Sequence, residues 1–155
     1  MELLLWRHAE AEDTLPDVAR ELTAKGQKQA RRVAQWLNDR LPGSARVVTS
    51  PALRAQQTAR ALTELSDRKL KILPQLAPGS SVEEFLRAVD WPQGRGAVVA
   101  VGHQPTLGLV ASKLLTGIEQ PWALKKGAVW WFSSRTEEGD SSELLLLAAV
   151  TPNLL

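Results

Sequence analysis

The chain holds two histidines, His8 and His103, and each closes a short apolar run. The first reads Leu3-Leu4-Leu5-Trp6-Arg7-His8, the second Ala97-Val98-Val99-Ala100-Val101-Gly102-His103, with Pro105 just beyond. Short apolar runs bounded by turn residues read as buried strands. Ligands of open α/β sheets bind beyond the carboxyl ends of the strands, so a group that titrates near neutrality stands twice at the functional edge. A third strand end precedes Ser50, Arg54 falls in the opening turn of the next helix, and Arg7 precedes His8. Gln104-Pro105 opens a helix directly behind His103, and its free backbone N–H groups are expected to point inward.

Two guanidiniums, two imidazoles and a helix N-terminus make a receptor for a phosphoryl group, because arginine's planar fork suits phosphate oxygens better than lysine's point charge. They also suggest a nucleophile. An imidazole attacks phosphorus only when neutral, and arginines nearby depress its pKa by charge repulsion. Capture of the phosphoryl group on His8 splits transfer into two easier displacements. Positioning and stabilisation of the equatorial oxygens supply most of the catalysis in such transfers, so no metal and no cofactor is required. Taken alone, an Arg-His pair is incidental, and His103 by itself reads as a satisfied helix-cap histidine. A zinc site is disfavoured, since two histidines without cysteine fall short of the three or four protein ligands zinc takes.

The elements that must position these groups alternate along the chain. A polar loop over residues 9–22 leads to Thr23 as N-cap, and Ala30, Val33, Ala34, Leu37 and Leu41 then mark an amphipathic helix ended by Pro42-Gly43. Its other face carries Lys25, Lys28, Arg31, Arg32 and Arg40, either a solvated face or a dock for an acidic partner. A strand over 46–49 precedes Ser50-Pro51, which reads as cap and first turn of a helix running to about Leu65. A short strand over 70–73, a loop to Ser81 and a Ser81-capped helix to about Val89 follow, the last with Glu83 and Glu84 in its first turn. The His103 strand and a Pro105-initiated helix to about Leu115 come next. Residues 128–133 and 143–148 then read as an antiparallel hairpin joined by a polar Glu-Glu-Gly-Asp turn. Trp6, Trp36, Trp130 and Trp131 sit within these patterns and are expected in the core. The expected fold is one domain over 1–155, an α/β/α three-layer sandwich with a mostly parallel sheet and a C-terminal antiparallel hairpin.

Composition narrows the classes. At 44% hydrophobic and 23% charged residues, the 155-residue chain is not a disordered one. No apolar run nears the ~20 residues of a membrane span, and Arg7-His8 interrupts the first strand too early for a secretory signal. Without cysteine there is no disulfide, thiolate site or cysteine nucleophile, which fits a cytoplasmic protein. A net charge of +2 lacks the concentrated basic stripe expected for nucleic acid.

Arg7-His8-Ala9 resembles the Arg-His-Gly signature of the histidine phosphatase superfamily. Leu22-Thr23 with Gly26 and Gln29-Ala30, then Ser50-Pro51-x-Leu53-Arg54-Ala55-x-Gln57-Thr58-Ala59, and finally Gly102-His103 are similar to its further motifs, spanning residues 2 to about 115. The short chain, Arg20-x-Leu22-Thr23 and Pro152-Asn153-Leu154 look most like the phosphohistidine phosphatase branch. The resemblance implies that His8 is the phosphorylated nucleophile and that Arg7, Arg54 and His103 hold the phosphoryl oxygens. Ser50 is a further substrate-binding candidate. Arg20 is implied either in the phosphate pocket or as a brace of its loop, and Asp17 as ordering the loop or touching substrate.

Two departures matter. Ala9 stands where glycine is usual, and the loop at 75–81 lacks the glutamate general acid of the mutase branch. Glu83 and Glu84 read as helix first-turn residues, leaving Glu10, Glu12 and Asp13 as the candidate proton donors. An alkoxide leaving group needs a proton in the transition state, whereas a phosphoramidate can expel an already protonated imidazole. The expectation is therefore a monomeric phosphatase acting on a phosphohistidine-containing protein of phosphorelay or phosphotransfer type. The alternatives are a phosphomonoesterase for a metabolite or nucleotide, and a non-catalytic module that binds phosphoproteins.

Overall fold

The computed structural model describes residues 1–136 and 142–155, so the expected Glu-Glu-Gly-Asp turn lies outside the described residues. Among the described residues four α-helices, α1 (Ala24–Asn38), α2 (Leu53–Thr63), α3 (Val82–Ala88) and α4 (Thr106–Thr116), accompany six strands. These are β1 (Glu2–Arg7), β2 (Arg46–Thr49), β3 (Leu70–Ile72), β4 (Ala97–Gly102), β5 (Val129–Thr136) and β6 (Ser142–Val150), in the order β3-β2-β4-β1-β5-β6. The first four in that order run parallel, and β5 and β6 form the expected antiparallel hairpin against β1.

Side chains alternate across a strand, and β1 is apolar from Leu3 to Trp6 without a break because both its faces are covered. Leu3 and Leu5 pack with Val98 and Ala100 against Phe85 of α3 and Leu107 and Val110 of α4. Leu4 and Trp6 pack with Val99 and Val101 against Val33 and Leu37 of α1 and Ala59 and Leu62 of α2. Two apolar clusters on opposite faces of one sheet make the three layers. Each fully buried leucine such as Leu37 contributes about 1.5–3 kcal/mol.

Local departures have local causes. Thr23 caps α1, its Oγ1 accepting from Gly26 N–H at 2.9 Å, but the helix ends at Asn38 rather than at Pro42. Leu41 is buried from the turn beyond it, so the apolar spacing outlasts the helix. Ser50 does not cap α2; Ala52 does, without a side-chain bond. Of the four tryptophans expected in the core, Trp6 alone is fully buried, its Nε1–H donating to the Gly127 carbonyl. Trp36 and Trp131 meet edge to face with ring centroids 6.1 Å apart, and Trp130 lies half-buried beside Trp122.

Candidate active site

Register brings the strand ends level. Trp6 of β1 and Thr49 of β2 both face Val101 of β4, so His8, Ser50 and His103 leave the sheet together. Backbone bonds carry the alignment one residue further: His8 N–H donates to the Gly102 carbonyl and Ser50 N–H to that of Val101. The two imidazole rings end with centroids 5.1 Å apart.

Arg54, in the first turn of α2, lies between them and is only 4% exposed. Its Nε–H donates to His8 Nε2 at 3.3 Å and its Nη2–H meets His103 Nδ1 at 3.4 Å. Because guanidinium only donates, both of those ring nitrogens must be lone-pair acceptors. The proton of His8 then sits on Nδ1 and is donated to the Ala9 carbonyl at 2.8 Å. That of His103 sits on Nε2 and is donated to Ser50 Oγ at 2.7 Å. Each ring is thus a neutral tautomer with its proton turned away from the other.

The electrostatics agree. His8 is depressed from 6.5 to about 4, first by burial and then by the charges of Arg54, Arg7 and Arg20, against a raising hydrogen bond to Ala9. His103 falls to about 3, again through burial first and then through His8 and Arg54. Arginine repulsion, the cause expected from the sequence, is therefore second to desolvation.

The remaining candidates divide. Asp17 joins the cluster: its carbonyl and carboxylate accept from Arg54 at 2.9 and 3.3 Å. Burial acts to raise its pKa, but Arg54's charge and the hydrogen bonds from Arg20 and Arg54 outweigh it, holding the carboxyl below its ordinary range. Arg20 braces the loop, donating to the Glu12 carbonyl at 2.7 Å and pairing with Asp17 at 3.3 Å. Ser50 is fully buried, and its Oγ accepts from Ala52 N–H as well as from His103. Its hydroxyl holds a histidine, a partner that the substrate-binding expectation did not include. Arg7 stands apart: Nη1 donates to the Leu124 carbonyl at 2.7 Å, and no hydrogen bond joins it to His8, Arg54 or His103. The inward-pointing amides expected at α4 are mostly taken, Leu107 N–H by the His103 carbonyl and Gly108 N–H by Gln104 Oε1. Glu83 and Glu84 are first-turn residues of α3, engaged with Arg87 and Ser81. Among the described residues no three of His, Asp and Glu gather as a metal site would require.

Residues to which the sequence reading gave no part near His8 hold the loop behind it. Thr58 Oγ1 accepts from Ala9 N–H, Gln29 Oε1 from Glu10 N–H and Gln57 Oε1 from Leu22 N–H. Thr23 Oγ1 donates to Glu10 Oε2, and Gly26 lets α1 approach the Glu10 carbonyl where a Cβ would collide. All five lie in the quoted motifs, which gave their types but not their partners.

Strands ending on two neutral imidazoles bridged by a buried guanidinium define a phosphoryl-transfer class of α/β protein, and the chain belongs to the histidine phosphatase superfamily. The model of the histidine phosphatase superfamily (branch 1) matches residues 3–78. The chain is similar to the phosphohistidine phosphatase SixA of Escherichia coli (strain K12), 32% identical over 130 residues and 78% of each chain. A phosphohistidine phosphatase SixA homolog of Haemophilus influenzae (strain Rd) is 29% identical over 159 residues, 94% of each. Among solved structures, the protein histidine phosphatase SixA complexed with tungstate superposes with a TM-score of 0.78 over the whole of both chains, at 27% identity. The chain is a phosphatase of this superfamily, and among its described residues no helix is long and apolar enough to cross a membrane.

Proposed function

We propose that the protein is a metal-independent phosphohistidine phosphatase that dephosphorylates a phosphohistidine-bearing protein through a phosphorylated His8. The observation that carries this reading is the Arg54 bridge, which leaves a neutral His8 with its lone pair on Nε2 and supplies no proton. The carboxylate bonded to the cluster, Asp17, is held ionised and makes a poor general acid. A leaving imidazole that keeps a proton on its other nitrogen needs no such acid; an alkoxide does. A chain without cysteine also suits the cytoplasm, where such proteins would be met.

On arrival the phosphoryl oxygens take the donors of Arg54, freeing His8 Nε2 to attack phosphorus. The P–N bond of the substrate breaks, and its electron pair leaves with the imidazole. Water then attacks the phosphorus on His8, the new P–N bond breaks, its pair returns to Nε2, and inorganic phosphate departs. Arg7 completes the oxygen contacts in this scheme, and so does His103 as its other tautomer, with Nδ1–H donating to the anion while Nε2 accepts from Ser50 Oγ–H.

Brief exposure to a phosphodonor followed by mass mapping should find an acid-labile, alkali-stable phosphate on His8, absent in His8→Ala. Arg54→Ala and His103→Ala should each cost about 3 kcal/mol of barrier, roughly a hundredfold in turnover. Label on a serine would overturn the mechanism. A preference for sugar phosphates or nucleotides over a phosphohistidine protein would overturn the substrate but leave the nucleophile standing.

A further inference from the structure

Six cations from three segments meet around a cavity of about 600 Å³ beside the catalytic cluster. Lys25, Lys28 and Arg32 come from successive turns of α1, Lys125 and Lys126 from the loop before β5, and Arg7 from the end of β1. Glu10 is the single carboxylate in the wall, and Thr23 Oγ1 occupies it at 2.9 Å. Among the described residues none of the six cations forms an ion pair. Arg7 Nε, moreover, is buried without a hydrogen-bond partner. Like charges facing one hollow repel, and an anion placed there relieves them.

A solvated surface looks different, as the rest of α1 and the turn beyond it show. Arg40 lies 4.5 Å over the Trp36 ring and donates to its carbonyl, and Arg31 lines a separate hollow with Leu22 and Gln57. Leu15 is 92% and Val18 63% exposed, and they flank in sequence the Asp17 that Arg54 holds. A free anion would use the cations alone, whereas a protein surface would use the cations and this apolar loop together.

We propose that this basic cavity and the Leu15–Val18 loop form the docking surface for the phosphohistidine protein, the cavity receiving carboxylates that neighbour the phosphohistidine. The inference rests on the phosphohistidine phosphatase reading and adds the character of the partner: acidic and apolar residues around its modified histidine. Contacts of this kind act on encounter and on binding, leaving the bond-breaking step to His8 and Arg54.

Two synthetic phosphohistidine peptides, one with three glutamates beside the modified residue and one with three glutamines, would be compared with free phosphohistidine. The native chain should favour the acidic peptide by about tenfold in kcat/KM, through KM. The exposed-site variant Lys28→Glu/Lys125→Glu should lose that preference while its turnover of free phosphohistidine stays unchanged. Equal use of both peptides, or a parallel loss on all three substrates, overturns the docking surface alone. Binding of inorganic tripolyphosphate by the native chain, lost in the double variant and without any peptide preference, overturns it in favour of a free-polyanion site. Failure of the native chain to hydrolyse any of the three overturns the phosphatase reading itself.

Discussion

Arg54 is almost wholly out of water, and the imidazoles on either side of it stay neutral through their own burial first and the neighbouring charges second. A depressed histidine pKa is also a statement about stability. The ordinary value of 6.5 applies to the unfolded chain, whereas the folded sites titrate near 4 and 3. Above 6.5 neither state is protonated and the pair contributes nothing to the pH dependence. Below it the unfolded chain binds protons that the native one refuses, so stability falls with pH until the native sites titrate. The slope should reach up to about 1.4 kcal/mol per pH unit for each imidazole. Urea midpoints at about pH 7.5, 5.5 and 4.5 should therefore decline, and the decline should shrink in His8→Asn/His103→Asn. An unaltered slope in that variant would place the sensitivity elsewhere. Activity should show the same feature, with the acid limb of kcat/KM near pH 4 instead of 6.5 and belonging to the coupled pair.

Elements carry these residues through contacts that no local pattern displays. The approach of α1 to the loop behind His8 depends on Gly26, whose added methyl would meet the Glu10 carbonyl. Gly26→Ala should cost about 1–3 kcal/mol by urea titration and slow turnover as the Asp17 loop shifts, while Gly43→Ala, with open space around it, should be near neutral. Equal effects at the two sites would show that this approach is not a close one. The long strands were legible because burial on both faces leaves a continuous apolar run, and the Thr23 and Ser81 caps because capping is local chemistry. Ser50 was misread for the same reason. A serine before a proline looks like a cap, yet a histidine brought alongside from β4 takes its hydroxyl. Gln29, Gln57 and Thr58 bond to backbone brought near by the fold, and periodicity says nothing about such partners. Likewise, burial outweighs arginine repulsion at His8, and only packing reveals how much water each ring has lost.

Across the whole molecule the charge nearly cancels, 19 basic against 17 acidic side chains, so an average field offers little to attract a partner. Its distribution does more: six cations share one concave wall with one carboxylate, and one of the six, Arg7, directly precedes His8. A field concentrated in this way raises the encounter rate with an acidic surface and is screened once the Debye length, about 10 Å at 0.1 M salt, falls to about 3 Å at 1 M. Arg54 is buried against its partners, and buried charges are screened far less. The two parts of the surface should therefore separate on adding salt. Raising sodium chloride from about 0.05 to 0.5 M should lower kcat/KM for an acidic phosphohistidine substrate about tenfold, and that for free phosphohistidine less than about twofold. Stopped-flow association of the acidic substrate with the non-hydrolysing His8→Ala protein should show the fall in the on-rate. If both substrates lost rate in step, the salt would be acting at Arg54, and the cations of α1 and of the loop before β5 would have no part in steering.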